Sequence, residues 1–175
     1  MAKLVVSITH AKEDADKATV GMVVANAAVA SGQETVVFFS TEGAYLAKNG
    51  YTEDIHEEVK EIVSKRMKSP VLIDSRAEAR YLGKTEPIDR IPGHIPGAVN
   101  KFWEDGLHQG SFKNSDEQKR RFSEFNPEEP LIVYCGSGVS ATPNFIALKM
   151  AGYQHIKLYV GSYSDWISYE DNPVE

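Results

Sequence analysis

The chain has 175 residues, an ordinary apolar content of 42% and a formal net charge of −6, enough for one domain or one domain plus a fragment. The acidic balance argues against broad nucleic-acid binding, no apolar run approaches the ~20 residues of a membrane span and no signal peptide opens the chain, so neither nucleic acid nor membrane is an expected partner. A single cysteine allows no internal disulfide, no cluster has metal-ligand spacing, and the expected compartment is the cytoplasm.

Residues 3–10 read as a buried first strand. Residues 14–30 read as a helix, with Val20, Val23, Val24, Ala27 and Ala28 at helical spacing and Gly32 as its stop. The β-branched and aromatic run 34–40 is a second strand, and 41–50 a short helix ended by Gly50. Asp54 and Glu57 suit an N-cap and its reciprocal partner. Ile55, Val59, Ile62 and Val63 then make one helical face, Lys65, Arg66 and Lys68 suit its end, and Pro70 stops it. Residues 71–74 are a third strand and 76–82 a short helix.

The stretch 83–100, rich in Gly and Pro, reads as a loop, and 102–125 as a loop with spaced aromatics followed by a helix over 115–125. After a turn at 126–130, the apolar run 131–134 is a fourth strand. A helix over 141–151 stops at Gly152, 155–160 is the last strand and 164–169 a closing short helix. Strands alternating with helices imply parallel pairing with right-handed crossovers. The expected fold is α/β: a parallel sheet of five or slightly more strands, helices on both faces, a flavodoxin-like three-layer sandwich. Ligands bind such sheets beyond the carboxyl ends of the strands, where Asp74, Cys135 and Gly161 lie. The five histidines, His10, His56, His94, His108 and His155, are scattered, and a surface or hydrogen-bonded core role is expected of each.

Cys135 sits where the strand 131–134 should end, before a loop of small residues and a helix. A thiol there lies in the positive end of the helix dipole, which favours the thiolate. Gly136, Ser137, Gly138, Val139, Ser140 and Ala141 can turn backbone N–H groups over the sulfur, cradling an anion beside it. Ser137 and Ser140 add hydroxyl donors, and Pro143 falls in the first helical turn, where its missing N–H costs little. The plainer alternative is a buried inert cysteine next to a tight turn. A cysteine phosphatase would need Cys-x5-Arg to grip phosphate, and Ala141 stands at that arginine position.

Three stretches, Val71-Leu-Ile-Asp-Ser-Arg76, Gly93-His-Ile-Pro-Gly-Ala98 and Cys135-Gly-Ser-Gly-Val-Ser-Ala141, resemble the rhodanese family of sulfurtransferases over about 59–175. Tyr159-Val-Gly-Ser162 with Trp166 resembles the family's C-terminal signature, with Val160 where an acidic residue is usual and Tyr163 where Trp is usual. The cysteine loop and Gly83-Lys-Thr-Glu-Pro87 resemble the catalytic C-terminal domain of the two-domain thiosulfate and 3-mercaptopyruvate sulfurtransferases. The resemblance implies a persulfide on Cys135, loaded from a small-molecule sulfur donor and discharged to a thiol or cyanide, with no metal or organic cofactor. It implies proton handling by Ser137 and donor binding by Arg90, with Arg80 close by and Leu82 where a second basic residue is expected. Gly136 and Ser137 are nearer the mercaptopyruvate pattern than the thiosulfate one. For Arg76 the expected role is a structural ion pair, and Asp74 and His94 match positions that hold loops.

Residues 1–57 resemble instead the first half of a DsrE-like sulfur-relay protein, through 35–40 and Gly43-Ala-Tyr-Leu46. They are expected to add a βαβα segment to the sheet of the rhodanese-like domain over 58–175. The change of resemblance near Glu57 raises a second reading, a recombined or engineered α/β scaffold with a vestigial cysteine loop.

Overall fold

A computed structural model describes residues 4–8, 21, 24, 25, 35–39 and 53–175. The chain divides into two compact units, 1–55 and 56–175. In the first, β1 (Leu4–Ile8) pairs in parallel with β2 (Thr35–Phe39), from Leu4 opposite Thr35 to Ile8 opposite Phe39. Gly21, Val24 and Ala25 are helical. A Cβ on Gly21 would sit 2.8 Å from Cγ1 of Ile8, so helix and strand approach too closely for a side chain. His10, the stop at Gly32, the helix over 41–50 and the change near Tyr51 lie outside the described residues.

The second unit begins within α1 (Glu53–Ser64). Asp54 lies inside this helix and not at its cap. Val59 and Ile62 are buried along one face, spaced as the sequence predicts. The parallel sheet has four strands in the order β4 (Val99–Asn100), β3 (Val71–Asp74), β7 (Leu131–Tyr134), β8 (Ile156–Leu158). Where a sheet of five or slightly more strands is expected, this one has four among the described residues, and β1–β2 pair within the first unit. The sheet corrects the reading of 83–100 as all loop, because Val99 and Asn100 pair with Ile73 and Asp74. A two-residue edge strand has too little periodicity to be seen in sequence.

The middle of the sheet is hydrophobic without alternation, as expected of parallel strands covered on both sides. Leu131, Ile132, Val133 and Tyr134 are all fully buried, each aliphatic one contributing about 1.5–3 kcal/mol. Val71 to Asp74 pair in register with Leu131 to Tyr134, which brings the carboxyl ends of β3 and β7 to one level.

Between these strands run α2 (Glu78–Tyr81), a 3-10 turn (Trp103–Gly106), an antiparallel pair β5 (Leu107–His108) and β6 (Ser111–Phe112), and α3 (Ser115–Arg121). The hairpin falls where only loop is expected. It turns on Gln109 and Gly110, both at positive φ (50° and 78°), the twist that suits a two-residue hairpin. Asn114 and Glu117 form a capping box at the start of α3. After β7 comes α4 (Ala141–Ala151), which Gly152 ends in the left-handed conformation, its N–H and that of Tyr153 closing on Lys149 and Leu148. The last helix, α5 (Ser162–Trp166), starts two residues earlier than its sequence suggests, directly after Gly161.

Candidate functional site

Cys135 follows the last residue of β7 and is 1% exposed. Its neighbours at this end of the sheet are set by register: Ser75 donates its N–H to the Tyr134 carbonyl at 2.8 Å, and Tyr159 donates to Val133 at 2.9 Å. The loop after Cys135 is shaped by Gly138, at φ +86, where a Cβ would lie 2.4 Å from the Val160 carbonyl oxygen. Only glycine fits there. Ser137 is exposed, Val139 and Ser140 are half-buried, and Gly136, Gly138 and Ala141 are buried. Ser140 occupies the N-cap of α4 without a side-chain capping bond. The first-turn amides of α4 therefore receive no cap from it, an arrangement suited to an anion.

The cysteine backbone is held from α5. The Cys135 N–H donates to Ser162 Oγ at 3.0 Å, Tyr163 N–H donates to the Cys135 carbonyl at 3.1 Å, and Ser164 N–H to the Gly136 carbonyl at 2.8 Å. Ser162 Oγ donates to the Tyr159 carbonyl at 2.8 Å and lies 3.9 Å from the cysteine sulfur. Ser162 has φ +56, a conformation that costs a residue with a Cβ about 1–2 kcal/mol. Sequence reasoning placed Gly161 at a strand end but gave Ser162 no role. The signal that could have found it is that strand-end position, opposite Cys135.

Arg80 is brought to the loop. Its Nη2 and Nη1 lie 3.3 and 3.4 Å from where a Gly136 Cβ would be. Its charge is taken up by Glu86, at 3.1 and 2.6 Å, and by Asp89, at 3.0 Å. Asp89 in turn accepts the Ser164 hydroxyl at 2.6 Å, tying the 82–91 segment to α5. Burial alone would raise the Glu86 carboxyl. Hydrogen bonds from Arg80 and from the Asp89 and Ile88 amides, with the Arg80 charge, outweigh it and hold the group below the usual carboxylate range.

Arg90 is placed differently. It is exposed and donates through Nη2 to the Ile167 carbonyl at 2.6 Å, at the C-terminal end of α5, away from Ser162. Leu82 is 47% exposed.

Arg76 is a structural ion pair, as expected. It is 2% exposed, bonded to Asp74 at 2.7 Å, Glu86 at 3.2 Å and the Gly93 carbonyl at 2.7 Å. Its guanidinium lies 4.1 Å from the centre of the Tyr163 ring. Burial pushes the Tyr163 phenol up to about 12, against the Arg76 charge and with the nearby carboxylates. His94 donates its Nδ1–H to the Tyr81 carbonyl at 2.8 Å and stacks on the Tyr81 ring, a loop-holding arrangement.

A groove of about 1130 Å³ lies at the other end of the sheet, lined by Met67, Pro70, Val71, Phe125 and Trp166 among others, and none of residues 135–141 borders it. Concavity and cysteine chemistry therefore point to different places, and the chemistry decides: Cys135 does not line the groove.

The Rhodanese-like domain family matches residues 56–169. The chain belongs to the rhodanese-like family. Within it, the chain is 43% identical over 107 residues to the "Probable 3-mercaptopyruvate sulfurtransferase" of Pseudomonas aeruginosa, covering 59% of this chain and 38% of that protein. It is 38% identical over 108 residues to the 3-mercaptopyruvate sulfurtransferase of Escherichia coli K12, with coverage of 59% and 38%. The Tum1 protein of Saccharomyces cerevisiae superposes with a TM-score of 0.60 at 28% identity, over 67% of this chain and 43% of that one. This rhodanese-like chain thus spans less than half the length of the curated relatives it matches. Among the described residues, no helix is long and apolar enough to cross a membrane.

Proposed function

We propose that the chain is a sulfurtransferase that carries a sulfane sulfur on Cys135. The observation that supports this best is the placement of the only cysteine: it follows a fully buried strand and begins a glycine-shaped loop at the N-terminus of α4. An inert core cysteine needs neither the positive φ of Gly138 nor the backbone bonds from Ser162, Tyr163 and Ser164.

In this reading the Cys135 thiolate attacks the outer sulfur of the donor. With thiosulfate the donor S–S bond breaks, sulfite leaves with the electron pair, and Cys–S–S⁻ remains. With 3-mercaptopyruvate the C–S bond breaks instead, and the departing pyruvate enolate takes up a proton. In this reading the Ser137 hydroxyl, which is exposed, hands on that proton, and Arg90 is the candidate to bind the donor carboxylate. In the second half-reaction cyanide or a thiol attacks the outer sulfur and Cys135 leaves as thiolate. The persulfide is stabilised by the N–H groups of the loop 136–141. Arg80, with its charge already met by Glu86 and Asp89, shapes the wall beside Gly136.

Incubation with thiosulfate or 3-mercaptopyruvate, followed by intact mass, is expected to add one sulfur to the wild type and none to Cys135→Ser. Cyanide or a thiol should then remove it. No added sulfur with either donor, in protein whose Cys135 still alkylates, would overturn this reading in favour of a vestigial loop.

A further inference from the structure

The element that holds the cysteine loop is short. α5 has five residues and opens on Ser162 in a left-handed conformation. A helix of little more than one turn has almost no stability of its own. The three bonds it makes to the backbone of Cys135 and Gly136 therefore need an anchor on its other side.

That anchor is built from His56, Tyr159 and Asp165. Tyr159 donates its hydroxyl to Asp165 Oδ2 at 2.5 Å. His56 Nδ1 lies 2.8 Å from the Tyr159 oxygen and 3.2 Å from the same Asp165 oxygen. Burial, with the Asp165 carboxylate, pushes the Tyr159 phenol above its ordinary value, so it keeps its proton and directs it at Asp165. Both oxygens facing Nδ1 are then acceptors, which assigns the hydrogen to Nδ1. Nε2 is buried without a hydrogen-bond partner, so the ring is held through Nδ1. The imidazole is 3% exposed and packs against the Tyr169 ring, with centroids 4.1 Å apart.

The position of these groups in the chain matters as much as their bonds. Tyr159 and Asp165 flank the turn that carries Ser162, and their side-chain bond closes it into a ring. Tyr159 also accepts the Ser162 hydroxyl through its carbonyl. The Asp165 side chain fills the space beside Gly161, where a Cβ would meet it at 2.6 Å. His56, from α1, pins the ring to the body of the unit.

We propose that His56, Tyr159 and Asp165 are positioning residues that fix the Ser162–Ser164 turn and, through it, the backbone of Cys135. The activity consequence rests on the sulfurtransferase reading; the structural consequence does not. His56→Leu removes the Nδ1 donor and keeps bulk, His56→Asn returns an N–H near the same place, and Tyr159→Phe removes only a hydroxyl. The amides of Cys135, Tyr163 and Ser164 are followed by hydrogen exchange, with Ile73 and Val133 in the central strands as internal references, alongside kcat and KM for sulfur transfer.

In His56→Leu and Tyr159→Phe the three amides should exchange at least about tenfold faster while the strand amides hold. In the same variants kcat should fall with donor KM unchanged, and His56→Asn should restore both. Turn amides that keep their wild-type rates, or all amides accelerating together in both variants, would overturn the proposal. If the wild type transfers no sulfur, the functional reading fails and the exchange rates still decide the network.

Discussion

The Ser162 hydroxyl accepts the Cys135 N–H at 3.0 Å and has two destinations for its own proton, the Tyr159 carbonyl at 2.8 Å and the Cys135 sulfur at 3.9 Å. The shorter bond wins in the resting protein. A charged sulfur competes for the same proton, so Ser162 can respond to the state of Cys135 without moving its backbone.

Removing that hydroxyl leaves a buried N–H unpaired. Ser162→Ala should cost about 1–3 kcal/mol in urea denaturation. Ser162→Gly loses the same bond but relieves the left-handed backbone, and should be about 1–2 kcal/mol less destabilising than the alanine variant. Equal stabilities would mean that the φ of +56° carries no strain.

Gly138→Ala sets a Cβ against the Val160 carbonyl, so loop and strand end must part. The sheet does not depend on this contact. The variant should fold, and the rate of persulfide formation should fall at least about tenfold, equivalent to ~1.4 kcal/mol of barrier. Gly152→Ala is the control: φ is also positive but nothing lies within 4 Å, so stability alone should suffer.

Arg76→Met removes the cation shared by Asp74 and Glu86 in a site where all three side chains are 3% exposed or less. Breaking a buried pair from one side strands the other charge. The expected loss is about 3–5 kcal/mol by chemical denaturation, far more than for an exposed pair such as Lys157–Glu58 (53% and 29% exposed).

Glu86 titrates below its unfolded value because Arg80 and two amides bond its carboxylate. A depressed folded pKa gives stability that is fully present above the unfolded value, about 4.3, and is lost as pH falls through the folded one. Denaturation midpoints should therefore drop below about pH 4.3, and Glu86→Gln should flatten that acid limb while lowering stability at neutral pH. An unchanged acid limb would show that the Arg80 bond is not maintained in solution.

Arg90→Ala separates donor binding from helix capping. Arg90 is exposed and bonds the Ile167 carbonyl through Nη2. The KM for 3-mercaptopyruvate should rise about tenfold, the ~1.4 kcal/mol of one charged hydrogen bond, with kcat little changed. A constant KM would leave Arg90 as a cap on α5.

The sequence by itself determined the alternation of strands and helices, the fully apolar β7, the stop at Gly152 and the place of Cys135 between a strand and a helix. These are written in local signals: continuous β-branched runs, helical spacing, and glycine where φ turns positive. The motif residues at 71–76, 93–98 and 135–141 also fixed the family. Tertiary structure alone decided what surrounds the cysteine. The four-strand order, with Val99–Asn100 at its edge, depends on pairing between segments tens of residues apart. Arg80 and Arg90 look alike in sequence, yet one meets two carboxylates beside Gly136 and the other a carbonyl at the far end of α5. Ser162 reaches Cys135 because parallel strands deliver their carboxyl ends to one level, and His56 reaches Asp165 because α1 packs beside α5. Those contacts are set by register and packing over long separations, where no local spacing carries a signal.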